Sequence, residues 1–357
     1  LKVQPVKSNV SKVLVLVNAA SAGLSIDGAT GTITYGGVQY TKCDANGTIK
    51  DGSDNPLVIT NQDLTGGGDK FFMSNSPLSN GTNTTVLVDV EPKTTEAAAQ
   101  ADFRTVNVER AVGKVTMVHA ADHWSNWVYT NQAAGYIGDE ITFNKWLVDI
   151  SNKSTYPVRY YDKAWETLAG TVTQRFFGAL SYVGNNKASA GRTYWAKDPN
   201  YDGTYTYDAN DFNIKQVSDF TALTSNMDDA QYCMENTFDV QRMQQRHTTR
   251  VLLQATYKPN SSTGSGSCDA DGTWYRLGNS NKAYTTTEVN NLIKACSGCT
   301  SVSLAADLSS CAAKDFSATL LQGLDTDPTT QANQIAAIKN TLGKLTVFSK
   351  GLCYYVV

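Results

Sequence analysis

The clearest pattern of apolar and polar positions lies between Thr249 and Lys258, where Val251, Leu253, Ala255 and Tyr257 alternate with Leu252, Gln254, Thr256 and Lys258. A period of two puts one set on a buried face and the other on a wetter one, as in a strand of an antiparallel sandwich. The first such run, Lys12 to Asn18, differs. Val13, Val15 and Val17 share one face and Leu14 and Leu16 the other. Apolar on both sides, it is expected to be a central strand in the core of the N-terminal part. Further strands are expected at Ile33 to Tyr40, with a turn at Gly36-Gly37, at Phe71 to Pro77, and at Thr84 to Val90. Phe103 to Val118 alternates over most of its length, with Val106, Val108, Arg110, Val112, Lys114, Thr116 and Val118 on one face. DANGTIKDGSDNP (44–56) and TGGG (65–68) read as turns.

Helical patterns are few and fall late in the chain. Thr285 to Glu288 followed by VNNLIKAC has the form of a capped amphipathic helix. Asp327 as N-cap, Pro328 at N1 and Gly343 at C′ frame a second. Short strands with few helices predict a mostly β chain of antiparallel sandwiches with insertions. The polar, Ala-rich EPKTTEAAAQADF (91–103) is the expected boundary, giving domains of 1–105 and 106–357, with a Cys-bearing helical insert at about 260–343 in the second.

Composition narrows the function classes. The 357 residues carry a formal net charge of −3, so there is no electrostatic footprint for nucleic acid. Only 18% of residues are charged while Tyr numbers 18, a balance suited to an extracellular β-rich protein. No apolar run is long enough to cross a membrane as a helix. The chain opens without a charged and then apolar leader, so any signal peptide is expected to have been removed or never included. It stops at Val357 within an apparent strand, and a further C-terminal segment is expected.

Chemistry-bearing residues are sparse. His119 and His123 have the spacing of two zinc ligands on a helix, but they follow an alternating Val-rich run and lack the glutamate of H-E-x-x-H. His247 lies in the basic turn QRMQQRHTTR and is expected to be solvated. The seven cysteines are an odd count, and Cys268, Cys296, Cys299 and Cys311 crowd one region. Cys296 and Cys299 form a C-x-x-C, but one that follows a helix rather than opening one. Structural disulfides or plain thiols are the expectation there, ahead of zinc or redox chemistry. Asp44 and Asp269 open turns resembling calcium loops, yet the twelfth positions are Asn55 and Ser280. The Tyr- and Trp-rich stretch from Trp124 to Tyr207 offers either a sugar platform or ordinary packing. No nucleophile elbow, P-loop or dinucleotide fingerprint is present, which points away from an enzyme and from any cofactor.

Three stretches carry a likeness to a known family. They are FFMSNSPL (71–78), EPKT with FRTVNVERAVGKVTM (91–94, 103–117), and YCMENTFDVQ with TTRVLLQATY (232–257). In this order and spacing the chain resembles the Bacteroidales fimbrillins, the type V pilins. Within them it is most similar to the shaft subunits of the minor, Mfa-type fimbriae of Porphyromonas. The resemblance implies two transthyretin-like antiparallel β-sandwich domains, made as a lipoprotein precursor exported to the outer membrane. It implies trimming by an arginine-specific protease and polymerisation by donor-strand exchange with neighbouring subunits. It also implies accessory tip and anchor proteins and adhesion to bacterial or host receptors. Val13, Leu14, Val15, Leu16 and Val17 are then the candidates for the groove or the N-domain core. The alternative is a tip or anchor protein, or a surface glycan-binding lipoprotein.

Overall fold

The computed structural model describes residues 11–357 apart from 45–46, 61–63, 77, 80–83, 121, 163–191, 197–207, 224–225, 237–245, 307 and 309–312. The chain is mostly β, its sheets antiparallel, with a few short helices. It divides into two compact units. The first takes in 1–115, 148–215 and 230–250, and the second 116–147, 216–229 and 251–357. The units therefore interleave along the sequence, whereas the sequence reading placed a single cut near residue 105.

In the first unit the stretch expected as one strand over Lys12 to Asn18 is two. Strand β1, Ser11–Val13, and β2, Leu16–Val17, take different partners. β2 pairs with β3, Met73–Asn75, while β1 pairs with β4, Val88–Val90. On its other side β3 pairs with β5, Val108–Arg110. The run ends at Asn18, whose φ of 55° lies in the left-handed region that Asn tolerates better than most residues.

The break between β1 and β2 exposes backbone groups that a ladder would have paired, and Asn75 supplies their partners. Its side chain is fully buried. Oδ1 accepts from Val15 N at 2.9 Å, and Nδ2 donates to Val13 O at 3.0 Å and Val86 O at 2.7 Å. A carboxamide is suited to this because it donates and accepts from one planar group.

The alternating run from Phe103 also breaks. β5 ends at Arg110, and Val112–Val115 pairs instead with Gln231–Met234. The switch buries the neighbours Ala111 and Val112 together, which strict alternation forbids, and leaves Val108 and Val118 exposed. Two smaller expectations also change. The turn-like 44–56 contains the strand Ile49–Asp51, and the expected linker contains the helix Glu96–Ala101, capped by Thr95 Oγ1 on Ala98 N. A hairpin does form at Gly36-Gly37, where both residues adopt the positive φ of a tight primed turn. The core of this unit gathers Leu57, Ile59, Leu64 and Phe72, all essentially inaccessible.

The second unit is built on the sheet Trp124–Ser125, Val128–Thr130, β6 (Glu140–Asp149), β7 (Arg250–Lys258) and β8 (Leu352–Val356), in that order. The alternation in β7 holds: Leu253 and Ala255 are buried and Lys258 is exposed. Strand Trp274–Leu277 pairs with Lys344–Phe348, and their Tyr275, Leu277, Leu345 and Val347 face a core shared with two helices. Helix α1, Thr286–Ser297, has the capping box between Thr285 and Glu288 and ends at Gly298 with φ 67°. Helix α2, Pro328–Leu342, is capped by Asp327 Oδ2 on Thr330 N. They bury Ile293 and Ile338 completely, each worth about 2 kcal/mol of transfer free energy.

Asp139 ties the start of β6 to the loop after β7. Fully buried, it accepts from Tyr257 Oη, from Asn260 N at 2.6 Å and from Ser265 N at 3.1 Å. The loop comes so close that a Cβ on Gly264 would lie 1.9 Å from the carboxylate, so only glycine fits there.

The Asn75 amide is accessible to a direct test. Asn75→Ala leaves three backbone groups without their partner, at roughly 1–3 kcal/mol for each that stays dry. Urea unfolding is expected to show a loss of about 3 kcal/mol. A loss under about 0.5 kcal/mol would show that water replaces the amide.

Candidate functional site

The five apolar residues singled out in the sequence lie along a seam of the first unit. Leu14 and Leu16 pack against its core. Val13, Val15 and Val17 fall outside that cluster, and all five are only half-buried. β1 has one neighbouring strand, β4, and β2 has one, β3. Each thus keeps a second edge unpaired among the described residues. The segment is not the fully covered central strand that its sequence suggests. The physical reason is the change of partners at Leu14 and Val15, which prevents either half from acquiring strands on both sides.

An edge strand with apolar side chains presents free N–H and C=O groups beside a surface that prefers burial. That combination templates the addition of another strand. The sequence reading gave β8 no such role, but it has the same character. Among the described residues it is the last strand of its sheet, paired only with β7. Leu352, Tyr354 and Val356 point to the exposed side, with Val356 54% accessible, while Cys353 is buried. Phe220 covers part of this face, its ring centroid 5.6 Å from that of Tyr354. The Leu-x-Tyr-x-Val alternation was the available signal.

Of the cysteine group, Cys268, Cys296 and Cys299 are free thiols and Cys311 lies outside the described residues. Cys296 and Cys299 pack against the helical core of the second unit. Cys299 Sγ lies 2.9 Å from Ser301 Oγ. Hydrogen bonds from the Ser301 side chain and then its backbone hold this thiol below the ordinary value. Burial pushes Cys233 and Cys353 the other way.

Two of the three histidines pack against rings. His119 stacks on Trp124 at 5.7 Å and meets the edge of Trp127 at 5.0 Å. His123 sits in a left-handed turn rather than on a helix. His247 corrects the sequence reading: it is 3% accessible, not solvated, and stacks on Phe212. Burial, followed by the neighbouring Arg246, lowers its pKa. Among the described residues no three His, Cys, Asp or Glu gather as a metal site. The aspartates of the calcium-like turns have structural partners, and Asp269 accepts from Thr286 N at 3.1 Å, at the start of α1. Asp44 accepts from Thr48 N and Lys50, and Asp271 from Thr273 N. Most of the aromatic stretch over 163–207 lies outside the described residues.

No protein-family model and no curated protein matches this chain.

The thiols yield a chemical prediction. In brief iodoacetamide labelling at pH 8, read by peptide mass spectrometry, Cys299 is expected to alkylate several-fold faster than Cys353. Ser301→Ala should raise the Cys299 pKa and slow it. Equal rates in the variant and the parent would remove the hydrogen bond as the cause.

Proposed function

We propose that this chain is a structural subunit of a surface fimbria of the type V pilin kind, polymerising through strand addition between subunits. In this reading each unit is a transthyretin-like antiparallel sandwich. The precursor is exported as a lipoprotein and trimmed by an arginine-specific protease. Trimming then opens the seam along Val13, Leu14, Val15, Leu16 and Val17 to a neighbour's strand, and the assembled fibre carries adhesion to bacterial or host surfaces with the help of tip and anchor proteins.

The observation that carries the reading is that seam. Five consecutive apolar residues remain half-buried across two short strands and the link between them, and each strand has a single neighbour among the described residues. A monomer has no use for such a surface, and it is a standing risk of misassembly. An incoming strand would pair the free backbone groups and cover alternate valines at once. The resemblance over 71–78, 91–94, 103–117 and 232–257 supports the same assignment, as does the absence of a catalytic constellation in the sequence.

The test is assembly itself. The precursor, treated with an arginine-specific protease, is expected to give fibres by negative-stain electron microscopy. Val15→Asp would place an unpaired charge under each incoming strand, at a cost of several kcal/mol per junction. It is expected to abolish fibres while leaving the melting temperature within a few degrees of the parent. Persistent monomers from the trimmed parent, or normal fibres from the variant, would sink the strand-addition reading.

A further inference from the structure

The second unit holds a cavity of about 280 Å³ between the buried face of β7 and β8 and the strand Trp274–Leu277. That strand has two faces with different roles. Tyr275 and Leu277 serve the helical core, while Trp274 and Arg276, together with Phe348 of the paired strand, line the cavity. Tyr257 and Tyr355 complete its aromatic wall, and Asn281 lies at its rim. The wall is preassembled. Trp274 and Phe348 stack at 3.9 Å with their planes 6° apart, and Tyr257 tilts against Trp274 at 5.3 Å. Tyr257 is fixed in turn by the buried Asp139.

Two polar groups on this cavity are uncommitted. Arg276 is exposed, and its guanidinium lies 5.8 Å from the centre of the Phe348 ring. It forms no ion pair or hydrogen bond among the described residues, and the amide of exposed Asn281 likewise forms none. Among the described residues the lining includes Arg276 and no carboxylate, so the formal charge they contribute is positive. Phenol and serine hydroxyls from Tyr257, Tyr355, Ser265 and Ser280 supply further hydrogen-bonding capacity.

We propose that this cavity is a binding site for one carboxylated sugar residue, a uronic or sialic acid, at the end of a glycan. The volume lies just below the range of roughly 300–1,000 Å³ usual for small-molecule sites, which suits a single ring. Aromatic faces pack against the C–H face of a pyranose, and the planar guanidinium fork matches a carboxylate. A bare phosphate would make no use of the aromatic wall. A flat aromatic ligand is excluded from between Trp274 and Phe348, which already stack on each other, and would leave the hydroxyls and Asn281 unused. The site stands on the second unit alone and does not rest on the polymer reading, so fibres or their absence leave it intact.

The experiment is titration calorimetry, with saturation-transfer NMR, of the purified chain against methyl glucuronide, the methyl glycoside of N-acetylneuraminic acid, and methyl glucoside. Saturable binding near millimolar Kd is expected for the acids, about tenfold weaker or absent for the neutral sugar. Arg276→Gln should weaken the acids by about tenfold without affecting the melting temperature, and Asn281→Ala should weaken them less. Both side chains are exposed, so either variant reports on binding rather than folding. No saturable binding by any of the three overturns the proposal. Equal binding of acid and neutral sugars, or acid binding unchanged in Arg276→Gln, overturns it too.

Discussion

The first unit depends on where the backbone groups of residues 13 to 17 find their partners. A strand that changes neighbours in mid-course must leave donors and acceptors behind, and each one buried without a partner costs a large part of a small protein's net stability. The buried carboxamide of Asn75 resolves this by bonding Val13, Val15 and Val86 from one side chain. With the kink satisfied in this way, β1 can follow β4 while β2 follows β3. The consequence is that neither half gains a second neighbour, and the apolar run stays half-covered. The feature that holds the segment in place and the feature that exposes its edge are the same.

The second unit solves a related problem differently. Its sheet also runs out of strands, at β8, but the buried side of that edge is backed by the pair Trp274–Leu277 and Lys344–Phe348. One face of that pair is consumed by α1 and α2. The other carries rings that fill the space incompletely, and the cavity is what remains. Asp139 keeps the wall rigid through Tyr257, a hydroxyl whose pKa burial, and then the bond to the carboxylate, drive above the ordinary phenol range. Open edges and an unfilled aromatic cavity are both places where a chain of this composition presents surface fit for a partner.

Much of this was legible wherever the cause is local. The helices were marked by caps within four residues of their starts, Thr285 with Glu288 and Asp327 with Pro328, and both formed as expected. The alternation of β7 and the Gly36-Gly37 hairpin rest on equally short-range rules. What the pattern concealed was partner choice. Alternation through Phe103 to Val118 says that the chain is extended, but not that it trades β3 for Gln231–Met234 at Ala111. The same blindness joined β1 to β2. His247 looked solvated because its sequence neighbours are basic and polar, while Phe212, some 35 positions earlier, covers it. The cavity draws on residues from Tyr136 to Tyr355, and no single window contained its signal.

In the proposed reading, the seam at residues 13 to 17 is an unfinished sheet edge that assembly completes. Hydrogen exchange measured on the trimmed subunit before and after polymerisation tests it at the atoms concerned. The amides of β1 and β2 that face away from β4 and β3 are expected to exchange readily in the subunit and to slow by at least about a hundredfold in the fibre, as expected when an open edge becomes a paired one. Fibres in which these amides exchange as fast as in the free subunit would place the junction elsewhere and contradict the account.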